Sequence, residues 1–318
     1  MLSNSFAGII LKIYYFFCLT INIISFILYV SILFFIGSKI KKKDKFYSSG
    51  FYKLIIFNGI LNLIFIAEEY ITFMIPQAGF FEHFYINIFS KYSISGMCYT
   101  YSMAQSIFIS LSGITITLNR YTALKHPTKY DYFWSGWRLI LLCTWPIFIS
   151  VSFFISFYKA DVEYVLTYHG SITVHYKDLY ISSLIYQITV FIHSIALCIN
   201  ILLNSILVYT IKHSNIIQTI NNNVKKREMK LEVTMAKFAI VYCTFFTIVV
   251  CTEISMTIAI TSKTLNVAEY LLTFFVLIET VMVFFSPYTL LYLNYDFRQK
   301  FFIFIGFYKL WFFGNKKK

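Results

Sequence analysis

Charge is what this chain has least of. Only 13% of its 318 residues are Asp, Glu, Lys or Arg, while 58% are hydrophobic; a soluble domain carries about 25% charged residues. So little charge excludes a protein that dissolves its whole surface in water. Cysteine is sparse and scattered. Cys18, Cys98, Cys143, Cys198, Cys243 and Cys251 lie in or beside apolar stretches, and none stands at metal-knuckle or redox-pair spacing. They read as free thiols in apolar surroundings. No Asn-x-Ser/Thr sequon occurs. Gly-x-Ser-x-Gly, His-Glu-x-x-His and phosphate-loop motifs are absent, and the six histidines are scattered. No enzyme, cofactor or metal centre is expected. No internal repeat is visible, which argues against a transporter built from duplicated halves.

What the chain does have is long apolar runs. Seven are long enough to span a bilayer, at roughly 13–36, 51–75, 95–118, 137–157, 179–209, 236–260 and 269–292. The first is too long for a cleaved leader, and its basic cluster follows it, so it reads as a retained span. Basic residues then set the orientation. Segments 37–53, 119–138, 212–237 and 293–318 hold six, four, six and six Lys or Arg, whereas the alternate segments hold five in all. Positive charge collects inside. The expected fold is therefore an all-α seven-helix membrane bundle with its N-terminus outside and its C-terminus inside. The net charge of +13 is explained by the inner leaflet of a lipid bilayer, and nucleic acid is not needed as a partner. Residues 1–292 form the bundle. Residues 293–318 form a short amphipathic helix and a basic tail. The outer segment 158–178 is long enough to cover the mouth of the bundle.

The third run carries a pattern within it. Tyr99, Ser102, Ser106, Ser110, Gly113, Thr117 and Arg120 are spaced by three or four residues and share one helical face. Such a helix is expected to turn this seam towards its neighbours and an apolar surface towards lipid. Arg120 closes the seam where the sequence turns basic. It is either an interfacial arginine reaching water or a switch residue in an inner cleft. Other ionisable residues fall inside the runs: Glu68 and Glu69 in the second, His193 in the fifth, Glu253 in the sixth and Glu279 in the seventh. Each is a candidate ligand contact or an interhelical hydrogen bond. Pro146 and Pro287 each free a backbone carbonyl, and Pro287 is a candidate hinge near the inner cleft.

The run Leu118-Asn119-Arg120-Tyr121-Thr122-Ala123-Leu124-Lys125-His126-Pro127, with Tyr130, Trp134 and Ser286-Pro287, resembles the nematode serpentine chemoreceptors. Within these it is most similar to the srg superfamily, of the Srv or Srg type, and more broadly it resembles the rhodopsin-like G-protein-coupled receptors. The resemblance implies a chemosensory receptor in the plasma membrane of sensory neurons or their cilia. A small molecule would bind outside, with Tyr99, Ser102, Ser106, His193, Glu253 and Glu279 as contacts. A heterotrimeric G protein would dock inside, through Arg120, Tyr121, His126 and Pro127. Departures from the broader receptor pattern are clear. Asn119 stands where an acidic residue is usual, segment 158–178 has no cysteine to pair with Cys98, and the sixth run has neither proline nor tryptophan. The rival expectation is a membrane transporter or a ligand-gated channel.

Overall fold

The computed structural model describes residues 2–166, 171–213, 223–262 and 264–306. Its long helices are α1 (Leu2–Lys41), α2 (Gly50–Glu69), α3 (Ser93–Lys125), α4 (Gly136–Phe157), α5 (Leu179–His213), α6 (Asn223–Thr261) and α7 (Leu265–Leu293). Stretches of the first six are long and apolar enough to cross a membrane, and the described part of α7 adds a shorter apolar stretch, Ile278–Leu293. This is the expected membrane bundle. A short helix, α8 (Tyr295–Phe304), follows α7. Asn294 caps it, its side-chain oxygen accepting from the Phe297 backbone N–H at 3.0 Å. The buried rings of Phe297 and Phe301 dock on Phe35 of α1, and Phe297 stacks on Tyr52 of α2. Residues 307–318, which include the basic tail, lie outside the described residues.

α3 is the axis. It packs against α2, α4, α5 and α6, so from Tyr99 to Arg120 it is almost wholly enclosed. Here one expectation is corrected. Its Ile107, Phe108 and Leu111 do not face lipid; they are as buried as the polar seam. A helix ringed by helices has no lipid surface to cover, and α3 is accordingly the least apolar of the six spans. Lipid-facing apolar surface is supplied by the periphery, where Phe34 of α1 and Trp137, Ile140 and Phe148 of α4 are exposed. A second correction concerns length. α3 runs to Lys125 and does not stop near 118. Nothing in between breaks a helix. It ends where Pro127 drives His126 out of helical geometry (φ −132°, ψ 59°).

At the opposite end from Arg120, residues 158–178 contain a hairpin of β1 (Val162–Leu166) and β2 (Ile172–Tyr176), antiparallel with Val162 opposite Tyr176. Val162, Tyr164, Ile172, Val174 and Tyr176 are buried. The alternating positions of each strand share a face, and that face rests on the bundle. The Tyr164 hydroxyl donates to the Thr72 carbonyl at 3.2 Å. That carbonyl is the one Pro76, lacking an N–H, cannot bond four residues on. α2 meanwhile loosens into a π-helical turn, Tyr70–Met74, before its end at Ile75–Gln77. Gly96 of α3 lets the backbone at Ala160 approach so closely that an added Cβ would lie 2.2 Å from its carbonyl oxygen.

Candidate functional site

Two polar assemblies share α3. The first surrounds Arg120. Because α3 continues past it, Arg120 is buried within the bundle and is 3% exposed; it does not reach out along the surface. Its guanidinium carbon sits 3.8 Å from the centroid of the Phe51 ring on α2, a cation–π contact. Phe51 is backed edge-on by Phe238 of α6, which meets Phe285 of α7. Arg120 Nη2 donates to the side-chain oxygen of Asn119 at 2.5 Å. Asn119 in turn donates from Nδ2 to the Tyr130 hydroxyl at 3.1 Å. That same hydroxyl receives the Phe51 backbone N–H at 3.2 Å. Trp134 stacks on Tyr130 and donates its indole N–H to Thr122 at 2.6 Å. A single network thus joins the end of α3, the start of α2 and the segment between α3 and α4.

Of the residues expected at this end, Arg120 lies inside the network. Tyr121 is half-buried against the small cluster Leu124, Leu207 and Ala239, with its ring near that of His126. His126 and Pro127 are exposed. Sequence reasoning did not find Phe51: which aromatic of another helix meets an arginine is not written in spacing. Pro287 lies within α7, which runs unbroken through it to Leu293.

The second assembly occupies the half nearer the hairpin. The Glu68 carboxylate accepts hydrogen bonds from Ser102 of α3 and Thr72 of α2. Thr280 of α7 donates to Glu69 at 3.4 Å. Glu279 is buried with Ser106 as a polar neighbour, and its Oε1 has no hydrogen-bond partner. Glu68, Glu69 and Glu279 are close enough to interact electrostatically. His193 of α5 and Glu253 of α6 form a pair at 2.5 Å, 0% and 3% exposed. Tyr99 hydrogen-bonds Tyr186 of α5 at 2.8 Å, and its ring lies 4.7 Å from that of Tyr176 in the hairpin. The expected ligand residues are therefore brought into one half of the bundle, each tied to another helix: Ser102 to α2, Ser106 beside α7, His193 to Glu253, Tyr99 to α5. No Lys or Arg occurs in 54–90, 92–119, 179–211, 238–262 or 264–297, so His193 is the basic group set among these acids. Among the described residues no cluster of His, Cys, Asp or Glu is arranged to hold a metal ion.

Two cavities lie beside these assemblies. A broad open groove runs between α5 and α6 past Asn204, Cys243 and Cys251. A more enclosed one of about 340 Å³ lies between α1, the end of α2 and α7. Neither is lined by Tyr99, Ser102, Ser106, His193, Glu253 or Glu279.

Seven long helices, the third of them largely buried with a polar seam and Asn-Arg-Tyr near its end, define a multi-pass membrane protein of the serpentine receptor class. The chain matches the model of the Srg family chemoreceptors over residues 15–301 and belongs to that family. No curated protein matches it significantly. Family membership implies a receptor and not an enzyme.

Proposed function

We propose that the chain is a chemosensory receptor of the plasma membrane, N-terminus outside, that binds a small molecule in the hairpin half and activates a heterotrimeric G protein at the Arg120 end. The observation that carries this is the burial of Arg120 against Phe51, inside a network that spans α2, α3 and the segment after α3. A residue held this way has two available states: docked on Phe51, or released into a cleft where a partner meets it. Tyr121, His126 and Pro127 flank that cleft in this reading, and Pro287 serves as the hinge about which α7 leaves it. A ligand favouring the released state shifts the population towards it. The polar half, with Tyr99, Ser102, Ser106, His193, Glu253 and Glu279, is where such a ligand acts, and sensory neurons or their cilia are where such a receptor belongs.

The test is expression with a G-protein readout against a panel of small molecules. Wild type should respond to at least one compound, and Arg120→Ala should reach the surface and stay silent. External tags should find the N-terminus outside; both termini on one side would overturn the reading.

The clustering of Glu68, Glu69, Glu279 and the His193–Glu253 pair on four helices favours one second reading, a cation-conducting channel or transporter. Ligand-evoked current that persists without G protein would select it.

A further inference from the structure

The cavity between α1, α2 and α7 has a feature that packing alone does not explain. Its walls are apolar in the main, with Tyr15, Cys18 and Met74 among them. Two carboxamides nevertheless line it, Asn22 and Gln77, which are 8% and 4% exposed. The Gln77 side chain has no hydrogen-bond partner among the described residues, and Asn22 has only a long contact from Nδ2 to the Met74 sulfur at 3.9 Å. A sulfur is a weak acceptor. An amide without a strong partner in apolar surroundings gains from a ligand that answers it, and here two face the same space. Thr280, which hydrogen-bonds Glu69 of the polar half, lines the same wall. On the outer side Phe17, Ile21 and Val281 are exposed and belong to stretches that face lipid, so the cavity opens sideways to the bilayer.

We propose that this cavity is a binding site for a small neutral molecule, apolar over most of its length with one hydrogen-bonding head such as a carbonyl or hydroxyl, reached from the bilayer. The volume lies at the lower end of the usual range for ligand pockets, about 300–1,000 Å³. Among the described residues the lining holds no carboxylate and no base, so a charged head meets no counterpart there. A lipid acyl chain fits the walls but leaves both amides unanswered. A carbonyl head accepts from either amide N–H, and a hydroxyl both donates and accepts. The site is separate from the seam residues of α3, and it stands whether or not the chain couples to a G protein.

Photolabelling tests this on the full chain in lipid nanodiscs. The probe is a medium-chain alkyl ketone carrying a diazirine, and cross-links are mapped by peptide mass spectrometry. Cross-links are expected on α1 around Cys18–Asn22 and on α7 around Thr280–Val281, denser than on the outward face of α4 around Phe148. Unlabelled ketone should displace them and the alkane of equal length should not. Gln77→Leu, which keeps the volume, should lower them about fivefold, the equivalent of one ordinary hydrogen bond. Labelling no denser than on α4, as a water-filled space would give, or equal displacement by the alkane, as an acyl-chain groove would give, overturns the proposal. Neither the displacement nor the mapping depends on a variant or on signalling. Displaceable cross-links in a protein silent to G proteins would leave the site standing and remove the receptor reading alone.

Discussion

The guanidinium carbon of Arg120 sits over Phe51, 3.8 Å from the ring centroid, which ties the α3 arginine to an aromatic face of α2. Cation–π contacts are worth about 0.5–2 kcal/mol. If this contact holds the inactive state, removing it shifts the equilibrium by about twofold to thirtyfold. Phe51→Leu is therefore expected to raise basal G-protein activation, read as ligand-free nucleotide exchange in membranes. Basal activity equal to or below wild type at matched surface level would detach Phe51 from the switch.

Asn119 both receives Arg120 and gives to Tyr130. Asn119→Leu leaves Arg120 and the Tyr130 hydroxyl each short of a buried partner, and should cost about 2–4 kcal/mol. Asn119→Asp keeps the acceptor, gives Arg120 a charge-assisted bond, and lets the Tyr130 hydroxyl turn round to donate. It should melt at or above the wild-type temperature. Thermal unfolding in detergent separates the two, and equal losses would mean that the network is not what Asn119 serves.

His193 and Glu253 are buried against one another. Removing one partner strands the other, at a cost of about 3–5 kcal/mol, whereas replacing both with apolar groups is far milder. His193→Leu and Glu253→Leu should each destabilise the protein strongly, and the double variant should be more stable than either. A double variant showing the sum of the two losses would deny the pairing.

Gly96 and Gly113 both allow close approach, to different kinds of atom. An added Cβ at Gly96 meets the Ala160 backbone oxygen at 2.2 Å, and at Gly113 it meets the Tyr242 ring at 2.3 Å. A ring can swing aside, although Tyr242 would give up its 2.8 Å bond to the Ile109 carbonyl; a backbone carbonyl under a hairpin cannot. Gly96→Ala is expected to cost more than Gly113→Ala, within the 1–3 kcal/mol or so typical of overpacking. Melting temperatures of the two variants decide this, and the reverse order would place the tighter constraint at α6.

The seven spans and the central helix were legible because lipid imposes a length and a composition that few other constraints imitate. The near-complete enclosure of α3 was less so. A polar seam reveals one face, and the apolar residues between look the same whether they meet lipid or a neighbouring helix. The hairpin carries a weaker signal. Val162-x-Tyr164 and Ile172-x-Val174-x-Tyr176 alternate with period two, but runs this short between two spans do not stand out from a long loop. His193 and Glu253 each stood out as ionisable residues in apolar runs, yet their pairing depends on the relative rotation of α5 and α6, which no single helix encodes. Gln77 at a helix end and Asn22 in the middle of α1 carry no signal in the sequence, because a single amide is ordinary at either place until its surroundings are known.

The hairpin also changes what concentration means for this bundle. β1 and β2 lie over α2, α3 and α5 with their apolar face buried, so a compound approaching those helices from water meets the hairpin first. A compound travelling through the bilayer to the flank of α1 and α7 arrives at the level set by its own partitioning. Each methylene added to such a compound is worth about 0.8 kcal/mol of transfer, close to a fourfold gain in local concentration. Along a homologous series the dose threshold in water would then fall by about that factor per carbon, until the chain outgrows the cavity and the trend reverses.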